Sequence, residues 1–299
     1  MVTTAETTGS TVPRRQLGRY LRDLRNRQHM TVKVAAEELE WSETKIWRIE
    51  TGQTSLRSHD VDLMCRIYSA PADLTEALKG LAKETKAKGW WQAYGDVIPE
   101  NFDIYLGLEE AAASLAWYEP ELVPGLLQTE GYARAIITAD NPDVPEEEIS
   151  RRVQLRIERQ ALIRRPAAPL ALRVALNESI LKRPVGGREV MAGQLDTLAE
   201  ASGLPSVTLR VVPFSAGLHH GLMTGPFEIL RFPANGDGSD SEPPTIYADG
   251  YVGALFLDKP HEIERFSDAF EYIWAAAASE AASSRLIRQS AKDLRGQQS

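Results

Sequence analysis

The stretch TVKVAAEELEWSETKIWRIETG, residues 31–52, constrains this chain more than any other. Thr31 has the side chain of a helix cap, and Val32, Ala35, Ala36 and Leu39 fall on one face of the helix it opens. That period breaks at Glu40 and Trp41. Ser42 then caps a second helix, with Glu43 in the first turn, where the helix dipole favours an acid. Ile46 and Ile49 give this helix one narrow apolar edge, and Gly52 ends it as a C′ glycine does. So little apolar surface suits either an ordinary surface helix or one whose free faces read something.

The flanks add three more helices. In RRQLGRYLRDLRNRQHM, Leu17, Tyr20, Leu21 and Leu24 recur at i, i+3, i+4 and i+7. Ser58 caps a fourth helix with Val61, Met64, Cys65 and Tyr68 inward, and residues 71–87 form a fifth through Leu74, Leu78 and Leu81. The predicted organisation is a disordered tail at 1–13, a mostly α five-helix domain at 14–88, a junction at 89–105 and a second domain at 106–295. Trp90 and Trp91 belong either to a packed junction or to the core of the second domain.

The second domain mixes periods. Residues 106–117 and 146–164 read as helices, and a further helix capped by Thr129 follows an extended run through Pro120 and Pro124. PLALRVALNE and VTLRVVPF read as strands around the helical GREVMAGQLDTLAEAS. Three short strands follow, GPFEILRF, PTIYAD and GALFL, with PANGDGSDSEPP as a loop between the first two. Helices at 263–274 and 280–294 close the chain, giving an α+β domain with a small sheet.

Charge is unevenly spread. The net charge is −8 overall, but residues 1–89 hold 15 Lys+Arg against 12 Asp+Glu, net +3, and residues 90–299 hold 19 against 30, net −11. Residues 14–27 alone carry six arginines and one aspartate. A basic module on an acidic body suits a protein that meets phosphate with one end. The single cysteine, Cys65, excludes an internal disulfide framework, and no stretch is apolar enough for a membrane helix. The start has no apolar core of a secretory signal, so a cytoplasmic protein is expected.

A capped helix, a short break and a second capped helix with exposed polar positions form a helix–turn–helix pattern, in which the second helix enters the major groove. Residues 31–52 resemble that motif in the xenobiotic-response-element (Cro/phage-repressor-like) regulators through Thr31, Ala36, Leu39, Ser42, Ile46, Arg48, Ile49, Glu50 and Gly52. Further along, KGWWQAYGD, YEPELVPGLLQTEGYARA, RVQLRIERQ, LNESILKRPVGG, QLDTLAE, VVPFSAG and GPFEIL resemble, in order, an actinobacterial subgroup with a long C-terminal domain. These are the WhiJ-like, toxin–antitoxin-like regulators of streptomycetes. The resemblance implies base-facing roles for Ser42, Glu43, Thr44 and Arg48, and phosphate-facing or flanking roles for Lys45, Thr51 and Arg57. It also implies a structural ion pair between Arg25 and Glu50. Arg48 suits direct readout, since a guanidinium can bond guanine O6 and N7 together.

Three positions depart from that pattern. Val32 stands where Gln often bonds a phosphate, and Glu40 where the turn often has Gly, at about 1 kcal/mol if its φ is positive. Trp47 stands where a small or polar residue is usual, and its bulk fits sugar–phosphate, a thymine methyl or the protein interior. His219, His220 and Asp249 admit an enzyme reading, and NGDGSDSEPPTI begins like a calcium loop but has Ile246 at its twelfth place. No GxxxxGK[ST], GxSxG or dinucleotide fingerprint occurs, so no catalysis, cofactor or metal is expected. The expected function is a sequence-specific regulator on double-stranded DNA, working as a homodimer. The alternative is an antitoxin-like protein–protein adaptor with weak or no DNA binding. The second domain is expected to dimerise and to sense either a small partner protein encoded nearby or a small-molecule ligand. A cleft near LVPGLLQTEGY and VVPFSAGLHHG would take the ligand.

Overall fold

The computed structural model describes residues 11–85, 89–99, 102–166, 168–234, 242–251 and 253–296. Its contacts divide the chain into two units, one ending at Ala111 and one beginning at Ala112.

The first unit is helical: α1 (Thr11–Arg27), α2 (Val32–Leu39), α3 (Glu43–Glu50), α4 (Ser58–Ile67), α5 (Ala72–Glu84) and α6 (Phe102–Ala111). Its core gathers Leu17, Leu21 and Leu24 of α1, Ala35, Ala36 and Leu39 of α2, and Ile46 and Ile49 of α3. Val61, Met64, Cys65, Tyr68 and Leu78 complete it from α4 and α5. Each buried Leu, Ile, Val or Met among them contributes roughly 1.5–3 kcal/mol on burial. Two glycines set helix spacing. A Cβ on Gly18 would lie 2.4 Å from the carbonyl oxygen of Ile49, so α1 lies directly against the end of α3. One on Gly107 would meet the side chain of Thr11, which brings α6 onto the start of α1.

The second unit is built on a six-stranded sheet of order β3-β2-β1-β4-β5-β6. Its strands are β1 (Ser114–Glu119), β2 (Ala171–Asn177), β3 (Val207–Val212), β4 (Phe227–Arg231), β5 (Thr245–Gly250) and β6 (Gly253–Leu257). β1, β2 and β3 are mutually parallel, and β4, β5 and β6 add antiparallel pairs. The parallel crossings carry α7 (Glu130–Asp140), α8 (Glu146–Glu158), α9 (Ser179–Lys182) and α10 (Arg188–Ala201). The short α11 (Gly221–Thr224) precedes β4, and α12 (Pro260–Ala276) and α13 (Glu280–Gly296) follow β6. Phe270 and Ile273 of α12 pack against Tyr118, Ala175, Val212, Phe227, Ile229 and Ile246 on one face of the sheet. The result is the expected pairing of a helical domain with an α+β domain.

Several expectations change. The helix expected at 106–117 ends at Ala111, and Leu115, Trp117 and Tyr118 lie in β1, central in the sheet. Alanine favours helix, but a strand buried on both faces reads as a continuous apolar run and hides its alternation. The expected tail at 1–13 is helical from Thr11, and residues 1–10 lie outside the described residues. Contacts place the division after Ala111 and not at 106, because α6 packs on α1. Trp91 is buried and Trp90 half-buried within the first unit, edge to face at 6.1 Å. Tyr20 is 43% exposed. The helix expected from Ser58 has Arg57 at its cap position, with the Arg57 amide donating to Asp60 Oδ2 at 3.4 Å. Most of the loop at 233–244, including the calcium-like start, lies outside the described residues.

Candidate nucleic-acid interface

The reading helix is defined at both ends by its own sequence. Thr31 Oγ1 accepts from Val34 N at 3.2 Å and opens α2. α2 ends with Glu40 in the left-handed region, φ 53° and ψ 38°, while Trp41 N donates to Ala36 O at 2.9 Å. This is the Schellman closure, made with an acid in place of glycine. Ser42 Oγ accepts from Lys45 N at 3.1 Å and opens α3. Gly52, φ 74°, closes α3, and Gln53 N donates to Arg48 O at 2.8 Å. A Cβ on Gly52 would fall 2.7–2.9 Å from Arg15 atoms, so glycine is needed there for space as well as conformation.

α3 is held from below by a buried charge pair. Arg25 Nε donates to Glu50 Oε1 at 2.6 Å, and its Nη2 donates to Oε2 at 2.7 Å. Arg25 Nη1 also donates to Met30 O at 2.7 Å, which ties in the turn before α2. The bond to Glu50 raises the Arg25 pKa against the opposing effect of burial. Burial with Glu50 nearby also pushes the Tyr68 hydroxyl strongly up. A bidentate pair of this geometry fixes the rotation of α3 as well as its position.

Ile46, Ile49 and Glu50 are the buried residues of α3, so the opposite face is open. Ser42, Glu43, Thr44 and Arg48 are all exposed. The guanidinium of Arg48 has no hydrogen-bond or ion-pair partner among the described residues. Ser42 spends an acceptor site on its cap and keeps its O–H free to donate. Lys45 sits over the Trp41 ring at 3.2 Å from the centroid, a cation–π contact at the edge of the open face. Thr51 has its hydroxyl already engaged. Its hydroxyl donates to Trp47 O at 2.8 Å and is therefore not available to a phosphate, which only accepts. Arg57 is exposed at the start of α4.

Trp47 is the residue that sequence reasoning left open. It is 52% exposed and has no ring or cation partner among the described residues. The available signal was its place off the Ile46–Ile49 edge. The arginines of α1 are less available than their number suggests: Arg15 is buried, Arg25 is paired, and Arg14 lies 3.8 Å from Asp103. Burial lowers the Arg14 pKa, opposed by that aspartate.

In the second unit, the run LVPGLLQTEGY is held by hydrogen bonds within itself and to Gln194. Val123 N donates to Tyr132 Oη at 3.1 Å, and Gln128 Nε2 to Val123 O at 2.7 Å. Gln194 bridges Leu127 O and Thr129 N at 2.7 Å each. His219 Nδ1 accepts from Gly221 N at 3.1 Å, and its pKa is lowered by burial and by His220. His220 stacks on Tyr272 at 4.5 Å, so the two imidazoles serve different contacts. Asp249 lies on β5, and burial raises its pKa. Glu119, which the sequence did not single out, accepts from Trp117 Nε1 at 3.1 Å. Burial, with Asp249 and Glu121 nearby, pushes its carboxyl up to about 7.

Comparison with known protein families agrees with this division. Residues 16–78 match a family of helix-turn-helix domains, so α1 to α4 and part of α5 form the DNA-binding fold of a regulator. No curated protein and no solved structure matches the chain. Among the described residues, no helix is long and apolar enough to cross a membrane. Residues 102–289, well over half the chain, match the domain of unknown function DUF5753, and the chain belongs to that family, with a helix-turn-helix domain ahead of it.

Proposed function

We propose that this protein is a cytoplasmic transcription regulator that reads double-stranded DNA through α3. The observation that carries the reading is the open face of α3: exposed Ser42, Glu43, Thr44 and Arg48 stand over the Arg25–Glu50 brace, with Arg48 unpartnered among the described residues. Arg48 reads guanine through two hydrogen bonds, Ser42 and Thr44 contact base edges or adjacent phosphate, and Glu43 accepts from cytosine N4. Lys45 and Arg57 supply phosphate contacts that set register. Thr51 takes part only if its bond to Trp47 O opens. Two copies bind together, because one such head covers too few base pairs for useful specificity.

The sequence resemblance supports placing it with the WhiJ-like, toxin–antitoxin-like regulators, and with them a small partner protein as the signal. Phe214, Leu218, Leu222 and Met223 are all exposed within ten residues of the second unit, a surface better suited to a protein than to a small ligand. The reading assigns no catalysis and no cofactor. The test is selection of duplexes from a random pool, followed by mobility shift with the recovered sequence. Arg48→Ala is expected to weaken binding about 10- to 100-fold and to relax preference at one guanine. Absence of binding at low salt, or indifference to Arg48→Ala, leaves the antitoxin-like adaptor as the better reading.

A further inference from the structure

The two edges of the sheet are finished differently. The outer edge of β3 is covered by the chain itself: Ala278 N donates to Val211 O at 2.9 Å, and Val211 N donates to Ser283 Oγ at 2.9 Å. β6 has no such cover among the described residues. It pairs with β5 from Ile246↔Leu257 to Gly250↔Gly253, and no other described segment bonds to residues 253–257. Alternate residues of an antiparallel edge strand turn their N–H and C=O groups away from their one neighbour. Such a row is a template for another strand, and proteins usually guard it with charge, proline or a bulge. GALFL has neither charge nor proline. Leu255 is 59% exposed on it, and Tyr251 is fully exposed at the tip of the hairpin.

We infer that β6 is the strand through which two copies of this chain pair, antiparallel about a two-fold axis at Leu255. The inference deepens the homodimer proposed above and is independent of what α3 reads. In this register Leu255 lies opposite its own copy, Ala254 opposite Phe256, and Gly253 opposite Leu257, so small residues face large ones on both sides of the axis. Lys259 falls opposite Tyr251 and meets no like charge. That matters for second units of net charge −6 (19 Lys+Arg against 25 Asp+Glu in residues 112–299), which repel one another and need a neutral seam to meet. A contact of one short strand pair lies at or below about 1,200 Å² of total burial, so the dimer is expected to dissociate at micromolar concentration.

The test is sedimentation velocity on the full chain from about 1 to 100 µM, with two variants. Leu255→Lys places like charges opposite each other and is expected to weaken the dimer at least tenfold with an unchanged melting temperature, since Leu255 is exposed. Leu255→Cys is expected to form an intermolecular disulfide under mild oxidation, because residues opposite across a strand pair lie within reach of one. Cys65 is buried and should not compete. A chain that is monomeric throughout, or a dimer unweakened by Leu255→Lys and not linked through Leu255→Cys, overturns the inference. Should Leu255→Lys fail to fold, the cross-link alone decides. Loss of DNA binding with the dimer intact counts against the role of α3 and leaves the pairing standing.

Discussion

Two glutamates, buried Glu50 in the first unit and half-buried Glu119 in the second, are held in opposite ways. Glu50 in the first unit meets Arg25 through two short hydrogen bonds. Glu119 in the second has one indole N–H and two further carboxylates, Asp249 and Glu121, in its surroundings. A buried acid with a matched cation is a fixed mechanical joint, costly to break from either side. A half-buried acid among other acids is held by the surrounding fold against its own charge, and its ionisation at neutral pH works against folding. The first arrangement suits a part that must present one surface. The second makes the stability of its unit depend on pH.

The largest expected effect breaks the joint. Glu50→Ala leaves the Arg25 guanidinium buried without its acid and should destabilise the first unit by about 3–5 kcal/mol, read as a lower melting temperature. An unchanged midpoint would remove the ground for calling the pair a brace. Next, Gly52→Ala should destabilise the same unit by about 2 kcal/mol, since it combines a positive φ with a Cβ pressed against the Arg15 backbone. Urea unfolding measures it, and a loss below about 0.5 kcal/mol would mean that the end of α3 shifts without cost.

The contrast itself is tested at Glu119. Its folded pKa of about 7 lies above the unfolded value, so the penalty is absent below about pH 4.5, grows as pH rises, and is complete above pH 7. Glu119→Gln keeps an acceptor for the Trp117 indole and should stabilise the second unit by about 1–2 kcal/mol at pH 8, and by almost nothing at pH 4.5. Solvent screening of the half-buried side chain keeps the effect below that of a fully buried acid. Equal effects at both pH values would show that charge is not the cause. The smallest effect is expected at the turn: Glu40→Gly relieves the left-handed φ of 53° and should raise stability by about 0.5–1 kcal/mol.

What was readable in the sequence followed from the range of the interactions. Caps and stops act within a few residues, so Thr31, Ser42 and Gly52 predicted the bounds of α2 and α3, and the positive φ at Glu40 could be priced in advance. Arg25 and Glu50 are 25 positions apart, and only the family resemblance joined them before the structure did. The exposed set on α3 was legible, but hydrogen-bond direction was not. Thr51 was expected at or beside a phosphate-facing position, and its hydroxyl donates to Trp47 O. β1 was hidden because composition favours helix there, and its two-sided burial removes the alternation that marks a strand. Glu119 went unnoticed for the same reason, since a carboxylate at the end of an unseen strand carries no pattern.

The central place of β1 also orders events in time. It is the first strand of its unit in the chain, and its antiparallel neighbour β4 arrives only after β2 and β3, with Ser114 finally opposite Arg231. Closing so long a loop slows folding, whereas α1 to α5 of the first unit gather through contacts nearer in sequence. In refolding from denaturant, a fast phase for the helical unit should therefore precede a slow one for the sheet. For some interval the chain would hold a finished reading head on a body still unfinished.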